Sequence, residues 1–143
     1  MELLGGITII VAGLMVGNEL TVSLFLHPTL NKMPDDVHAR VVQAFARLFG
    51  RVMPFWYALT ALLTLVLVLM HRQNALLIAS AVLWFFAIVY TVIFPVPVNN
   101  RVTKWDLLRL PATWKMERSK WDRYHRARVV ILLAALVCLV FGA

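Results

Sequence analysis

The chain has 143 residues, of which 62% are hydrophobic and 15% charged, with a formal net charge of +7. An ordinary soluble domain is roughly half apolar and about a quarter charged. The composition therefore excludes a disordered tail, a collagen, a disulfide scaffold and a water-soluble globule, and points to lipid as the solvent.

The length holds one domain, residues 1–143, with no room for a separate catalytic module. A first apolar stretch covers residues 3–27 and lacks the basic leader and small-residue cleavage pattern of a signal peptide. Asn18 and Glu19 lie inside it, about eight residues from His27, so the carboxylate falls near mid-membrane. An ionisable group there costs at least ~2.5 kcal/mol and normally faces a cavity, a partner or a pathway. Glu19, Ser23 and His27 recur at i, i+4 and i+8 and share one face. Gly13 and Gly17 form G-x-x-x-G on the opposite face, where another helix or a second copy in a homo-oligomer can approach closely. Span one then has two occupied sides and a central place in the bundle. Two readings of Glu19 stand side by side: a neutral carboxyl bonded to a neighbouring helix as packing glue, or a carboxylate lining a ligand pocket.

Pro34 and Asp35 start a helix with an apolar stripe of Val37, Val41, Ala44, Phe45 and Leu48. This amphipathic helix lies along the membrane surface or runs directly into span two, residues 52–70, with Pro54 as a kink point. His38 and His71 read as surface residues. Span two adds Trp56, Tyr57, Thr60 and Thr64; span three, residues 75–94, adds Trp84, Tyr90 and Thr91. Pro95 and Pro97 end span three and send Asn99, Asn100 and Arg101 into a turn. Pro111 and Thr113 then suit the start of a last helix from Ala112 to Gly142, roughly 45 Å long. Its membrane part, residues 121–142, carries the single cysteine, Cys138, as small apolar packing.

On that helix Trp114, Trp121, Tyr124, His125 and Arg128 fall along one broad face, with Lys115, Ser119, Asp122 and Arg126 on a solvated side. The pairs Arg118–Asp122 and Asp122–Arg126 are worth only a few tenths of a kcal/mol in that setting. The tryptophans also fit an interfacial aromatic belt, and His125 an ordinary interfacial histidine. The expected architecture is all-α. It is an integral membrane four-helix bundle with an amphipathic helix between spans one and two and a long last helix projecting into the cytoplasm. Thirteen of the 14 Lys and Arg lie between spans one and two, or from Arg101 to Arg128, against Arg72 alone on the other side. The positive-inside rule makes both long connections cytoplasmic and both termini external, in a cell (inner) membrane. Basic residues gathered between apolar runs orient a membrane protein, and no nucleic-acid partner is expected.

Glu19, His27 and His125 are the metal donors that the topology brings near one another. Glu19 and His27 would be about 12 Å apart along a straight helix, too far to share one ion, and H-x-x-x-H, E-x-x-H and C-x-x-C spacings are absent from the sequence. No cofactor is assigned; a metal, or a haem held by His27 and His125 at one depth, stays open. No phosphate-cradling glycine loop or serine-nucleophile motif is present. Tyr57 and Tyr90 sit level with the region between Glu19 and His27, so aromatic walls with a few polar groups suit a flat, lipophilic small molecule arriving from the inner leaflet.

The order Gly13…Asn18-Glu19…His27-Pro28, then Gly50-Arg51…Pro54, then Asn99-Asn100-Arg101, closed by Trp114…Trp121-x-x-x-His125-x-x-Arg128, resembles the DUF1772 family, which includes the anthrone oxygenase-like proteins. The resemblance covers nearly the whole chain. It implies a compact four-span bundle and oxygenation of an anthrone to an anthraquinone with no obvious bound cofactor. The family pattern falls on Asn99, Arg101, Trp114, Trp121, His125 and Arg128, whereas Asn18-Glu19 with His27 looks like a feature of one bacterial branch. The chemistry needs little apparatus: deprotonate an acidic C–H, stabilise the oxyanion and exclude water. His125 is the expected base, Asn99 with Arg128 or Arg101 the oxyanion holders, and Trp121 with Tyr90 the walls around the rings; Glu19 joins the catalytic set, and Asn18, His27 and Trp114 the ligand-binding one. Beside an oxygenase, a non-catalytic carrier of a quinone or haem and an assembly subunit remain as readings.

Overall fold

The computed structural model describes residues 2–143. The elements in chain order are α1 (Glu2–Thr21), a π-helical turn (Val22–Leu26), α2 (His27–Leu30), α3 (Asp35–Met70), α4 (Ala75–Ile93), α5 (Pro95–Val102) and α6 (Trp114–Gly142). The described residues contain no strand. Four helical stretches are long and apolar enough to cross a membrane: Leu3–Leu30, Asp35–Met70, Ala75–Ile93 and Trp114–Gly142. Each packs against the next, and α6 closes the ring against α1. Large apolar side chains such as Leu14, Phe25, Phe55, Phe85, Val130 and Phe141 stay exposed on the outer faces, which is how a bundle meets lipid rather than water. The protein is an all-α membrane bundle.

Local chemistry explains the joints. Asn74 caps α4 by accepting from the N–H groups of Leu76 and Leu77, both at 3.1 Å, while its amide donates to the Gly142 carbonyl at 2.8 Å. One side chain thus starts α4 and ties down the end of α6. Gly142 permits the close approach, since a Cβ would stand 3.0 Å from Leu76 Cβ and from the Leu77 nitrogen. Within the bundle Ser80 donates to the Ala135 carbonyl at 2.8 Å and the Trp56 indole to that of Val11 at 3.1 Å. Two cores result. A membrane core gathers Met15, Tyr57, Trp84, Leu132 and Leu139, and a second core at one end gathers Leu30, Val42, Val98, Trp105 and Trp114.

Several expectations change at this point. Of the two courses open to the amphipathic helix the second holds, and it runs directly into span two as one helix with Pro54 inside it. Asn99, Asn100 and Arg101 lie on helix α5 rather than in a turn, because Pro95 and Pro97 occupy its first turn, where the missing N–H groups have no intrahelical acceptor to lose. Span one is not central, since the four spans form a ring. Gly17 is exposed, and a Cβ at Gly13 or Gly17 would meet no atom within 4 Å, so no helix of this chain packs on that stripe. Arg118 and Asp122 are buried rather than solvated, and His38, read as a surface residue, is buried as well. The first two turns of the last helix are covered by α3 and α5 in the second core.

Candidate functional site

The buried face of α6 runs as one stripe: Trp114, Arg118, Asp122, His125, Arg128, Leu132, Ala135 and Leu139. Its lower half is apolar and its upper half polar, so the helical period that packs the membrane core also drives charged groups into the bundle. Opposite them stand Glu19 and His27. They share one line because the π-helical turn between them absorbs one extra residue, so eight residues turn the chain about as far as seven do in an α-helix. The His27 N–H reaches the Val22 carbonyl, and Pro28, which has no N–H and crowds the carbonyl four residues back, accounts for the wider turn.

Glu19 is 3% exposed and holds two partners on one oxygen. Arg128 Nη2 donates to Oε2 at 2.6 Å, and His125 Nε2 lies 2.8 Å from the same atom. A carboxylate only accepts, so His125 donates through Nε2 and its Nδ1 keeps a lone pair. That Nδ1 is buried with no partner. The carboxylate and the guanidinium cancel in charge, leaving the imidazole as the basic atom of a net-neutral cluster. Arg128 also lies 5.7 Å above the Tyr57 ring, whose hydroxyl is buried without a partner.

One turn further along α6, Trp121 stacks on His125 with centroids 4.8 Å apart and planes 13° from parallel. His27 meets Trp121 edge-on at 4.9 Å and His125 at 5.3 Å. The His27 Nδ1 lies 2.9 Å from Arg118 Nη2, and the same Nη2 donates to Asp122 at 2.9 Å. Beyond this pair a polar crevice of about 370 Å³ opens between α3 and α6, lined by Asp35, His38, Lys115 and Asp122 among others. His38 belongs to the part of α3 that precedes the span. Burial first, then the Arg118 guanidinium, hold its imidazole below the ordinary value.

The structure thus brings together Glu19, His125 and Arg128, with His27 and Trp121 beside them. Asn99 reaches the same region through a small cavity shared with His27 and Trp121, its amide donating to the Ala46 carbonyl at 3.1 Å. Asn18 contacts the Met53 sulfur at 3.8 Å. Three residues are placed elsewhere. Arg101 pairs with Glu117 at 2.7 Å, half exposed. Tyr90 packs on Phe94 at 4.9 Å. Trp114 stands in the second core against His38 and Trp105. Among the described residues no three His, Cys, Asp or Glu side chains converge as metal donors, and the edge-on contact of His27 with His125 leaves no slot for a haem plane between them. Sequence reasoning missed Arg118 and Asp122. The signal was there: the spacing of Leu139, Ala135 and Leu132, continued toward the N-terminus of α6, passes through both.

The family model described as Anthrone oxygenase matches residues 43–138. Comparison with curated proteins finds no match, and neither does comparison with solved structures.

Proposed function

The chain belongs to the anthrone oxygenase family, and from that membership together with the buried Glu19–His125–Arg128 cluster we propose that it oxygenates a lipophilic aromatic ketone of anthrone type with dioxygen. The observation that carries this reading is the imidazole of His125, bonded through Nε2 to a carboxylate and presenting an unpartnered Nδ1 inside an apolar bundle. A general base needs this arrangement: one nitrogen oriented by an acceptor, the other free, with water kept out.

In the reaction His125 Nδ1 takes a proton from the acidic CH₂ of the substrate, and the C–H electron pair delocalises onto the carbonyl oxygen. Arg128 holds Glu19 ionised, and Glu19 in turn stabilises the imidazolium that forms. The enolate passes one electron to dioxygen, and radical and superoxide combine at carbon. The proton held by His125 returns to give a hydroperoxide. Loss of the second C–H proton with O–O cleavage leaves a new carbonyl and water. Carbon loses four electrons and dioxygen gains four, with CH₂ plus O₂ becoming C=O plus H₂O.

The same reading places the protein in a cell membrane with both long connections in the cytoplasm. Arg118 and Arg128 are buried parts of the site, which leaves eleven Lys and Arg on that side against Arg72 on the other. The test is oxidation of anthrone by purified protein in nanodiscs under ¹⁸O₂. One labelled oxygen in the new carbonyl and consumption of one O₂ per substrate support the proposal; quinone formed no faster than in protein-free nanodiscs refutes it.

A further inference from the structure

A cavity of about 40 Å³ lies between the π-helical turn and α2 on one side and α3, α5 and α6 on the other, with Asn99 of α5 in its wall and that amide's N–H donating to the Ala46 carbonyl. Its walls are mostly apolar, with Val22, Leu26, Phe45 and Phe49 among them. His27, Arg118 and Trp121 also line it, and each carries a buried nitrogen with no hydrogen-bond partner: His27 Nε2, Arg118 Nε and Trp121 Nε1. The chemistry of the three atoms is the same. Arginine Nε and indole Nε1 donate and cannot accept. His27 Nδ1 faces Arg118 Nη2 at 2.9 Å, and since a guanidinium only donates, Nδ1 accepts and the ring proton sits on Nε2. Three side chains with unpartnered N–H donors therefore meet around a cavity sized for an oxygen atom and its carbon, not for a ring system.

A buried donor left unpaired is costly, and three on one small cavity call for an acceptor. The carbonyl oxygen of a ketone is acceptor-only, and it becomes more strongly so as an enolate. We propose that this cavity seats the carbonyl oxygen of the lipophilic substrate, with His27, Arg118 and Trp121 donating to it. The inference rests on the oxygenase reading and adds to it the residues that hold the carbonyl oxygen, with the substrate rings outside the cavity. Because Trp121 stacks on His125 at 4.8 Å, the oxygen seat and the base are neighbours on one face of α6. When the bound ketone becomes an enolate its negative charge gathers on this oxygen, where the Arg118 guanidinium balances it. Asp122, 2.9 Å from Arg118 Nη2, fixes the guanidinium as a positioning residue.

The test uses 9-fluorenone, a ketone with no acidic C–H, and fluorene, which has the same rings and lacks the oxygen. Both are titrated anaerobically into full-length protein in nanodiscs, with the carbonyl followed by isotope-edited infrared spectroscopy. Fluorenone is expected to bind about tenfold or more tightly than fluorene, with its carbonyl stretch moved to lower wavenumber. Arg118→Met and Trp121→Phe should each weaken fluorenone and leave fluorene unchanged; Trp121→Phe keeps the stacked ring and guards against a folding artefact. Equal binding of the two compounds, an unshifted carbonyl, or a shift that survives both substitutions overturns the proposal, the cavity then holding water only. The two readings fail separately. Anthrone turnover with an unshifted fluorenone carbonyl removes the oxygen seat alone, whereas a shifted carbonyl without turnover removes the oxygenase and leaves a ketone-binding site.

Discussion

Replacing Arg128 with Met tests whether Glu19 is an ionised member of the site or a neutral packing group. Glu19 is 3% exposed and Arg128 7%, and the two are joined at 2.6 Å. If the carboxyl were neutral, the contact would be one more interhelical hydrogen bond, worth about 0.6 kcal/mol in a membrane bundle. If it is ionised, Arg128→Met strands a buried charge and costs ~3–5 kcal/mol. The double variant Glu19→Gln with Arg128→Met removes both charges and should recover most of that loss, because an apolar replacement for a buried pair is often close to neutral. Equilibrium unfolding in mixed micelles, run as a double-mutant cycle, measures the difference. A coupling of about 2 kcal/mol or more is expected. Coupling near 0.6 kcal/mol, with each single variant costing under ~1 kcal/mol, would refute the ionised pair and with it the orientation of His125.

His125→Ala should lower turnover by ~100-fold or more if Nδ1 is the general base, read from initial rates of quinone formation. Asn74→Ala removes two helix-capping bonds and the tie to Gly142 and should cost ~1–2 kcal/mol in the same unfolding assay. Gly142→Ala pushes a Cβ to 3.0 Å from the start of α4 and should cost ~1–3 kcal/mol. Burial and the Arg118 guanidinium make His38 bind its proton less readily in the fold than in the unfolded chain, so the unfolded chain takes up a proton first as pH falls. Stability should be flat above about pH 6.5 and drop below it, and His38→Phe should make that acid limb shallower.

The spans were legible because lipid imposes a simple rule on composition: long apolar runs with charges between them. Topology also brought Glu19, His27 and His125 near one another, but the pairing of Glu19 with Arg128 emerges only from the packing of α1 on α6. What the sequence left obscure depends on packing between distant segments. Arg118 and Asp122 look like a surface i,i+4 pair until α1 is extended through its π-helical turn to place His27 against them, and only Pro28 hints at that turn. His38 looks polar and exposed until α5 and the start of α6 cover the first turns of α3. Asn99 looks like a turn residue because Pro95 and Pro97 read as breakers, although both are tolerated where a helix begins. The Gly13–Gly17 stripe is a close-approach signal that no helix of the same chain uses.

The most direct test of the central claim is oxygen uptake by the purified protein in nanodiscs with anthrone, run beside His125→Ala and Glu19→Gln. The account predicts stoichiometric quinone formation that depends on both side chains, with each variant retaining the wild-type fold by circular dichroism. Uptake that is unchanged in both variants, or absent from the folded wild type, would contradict it.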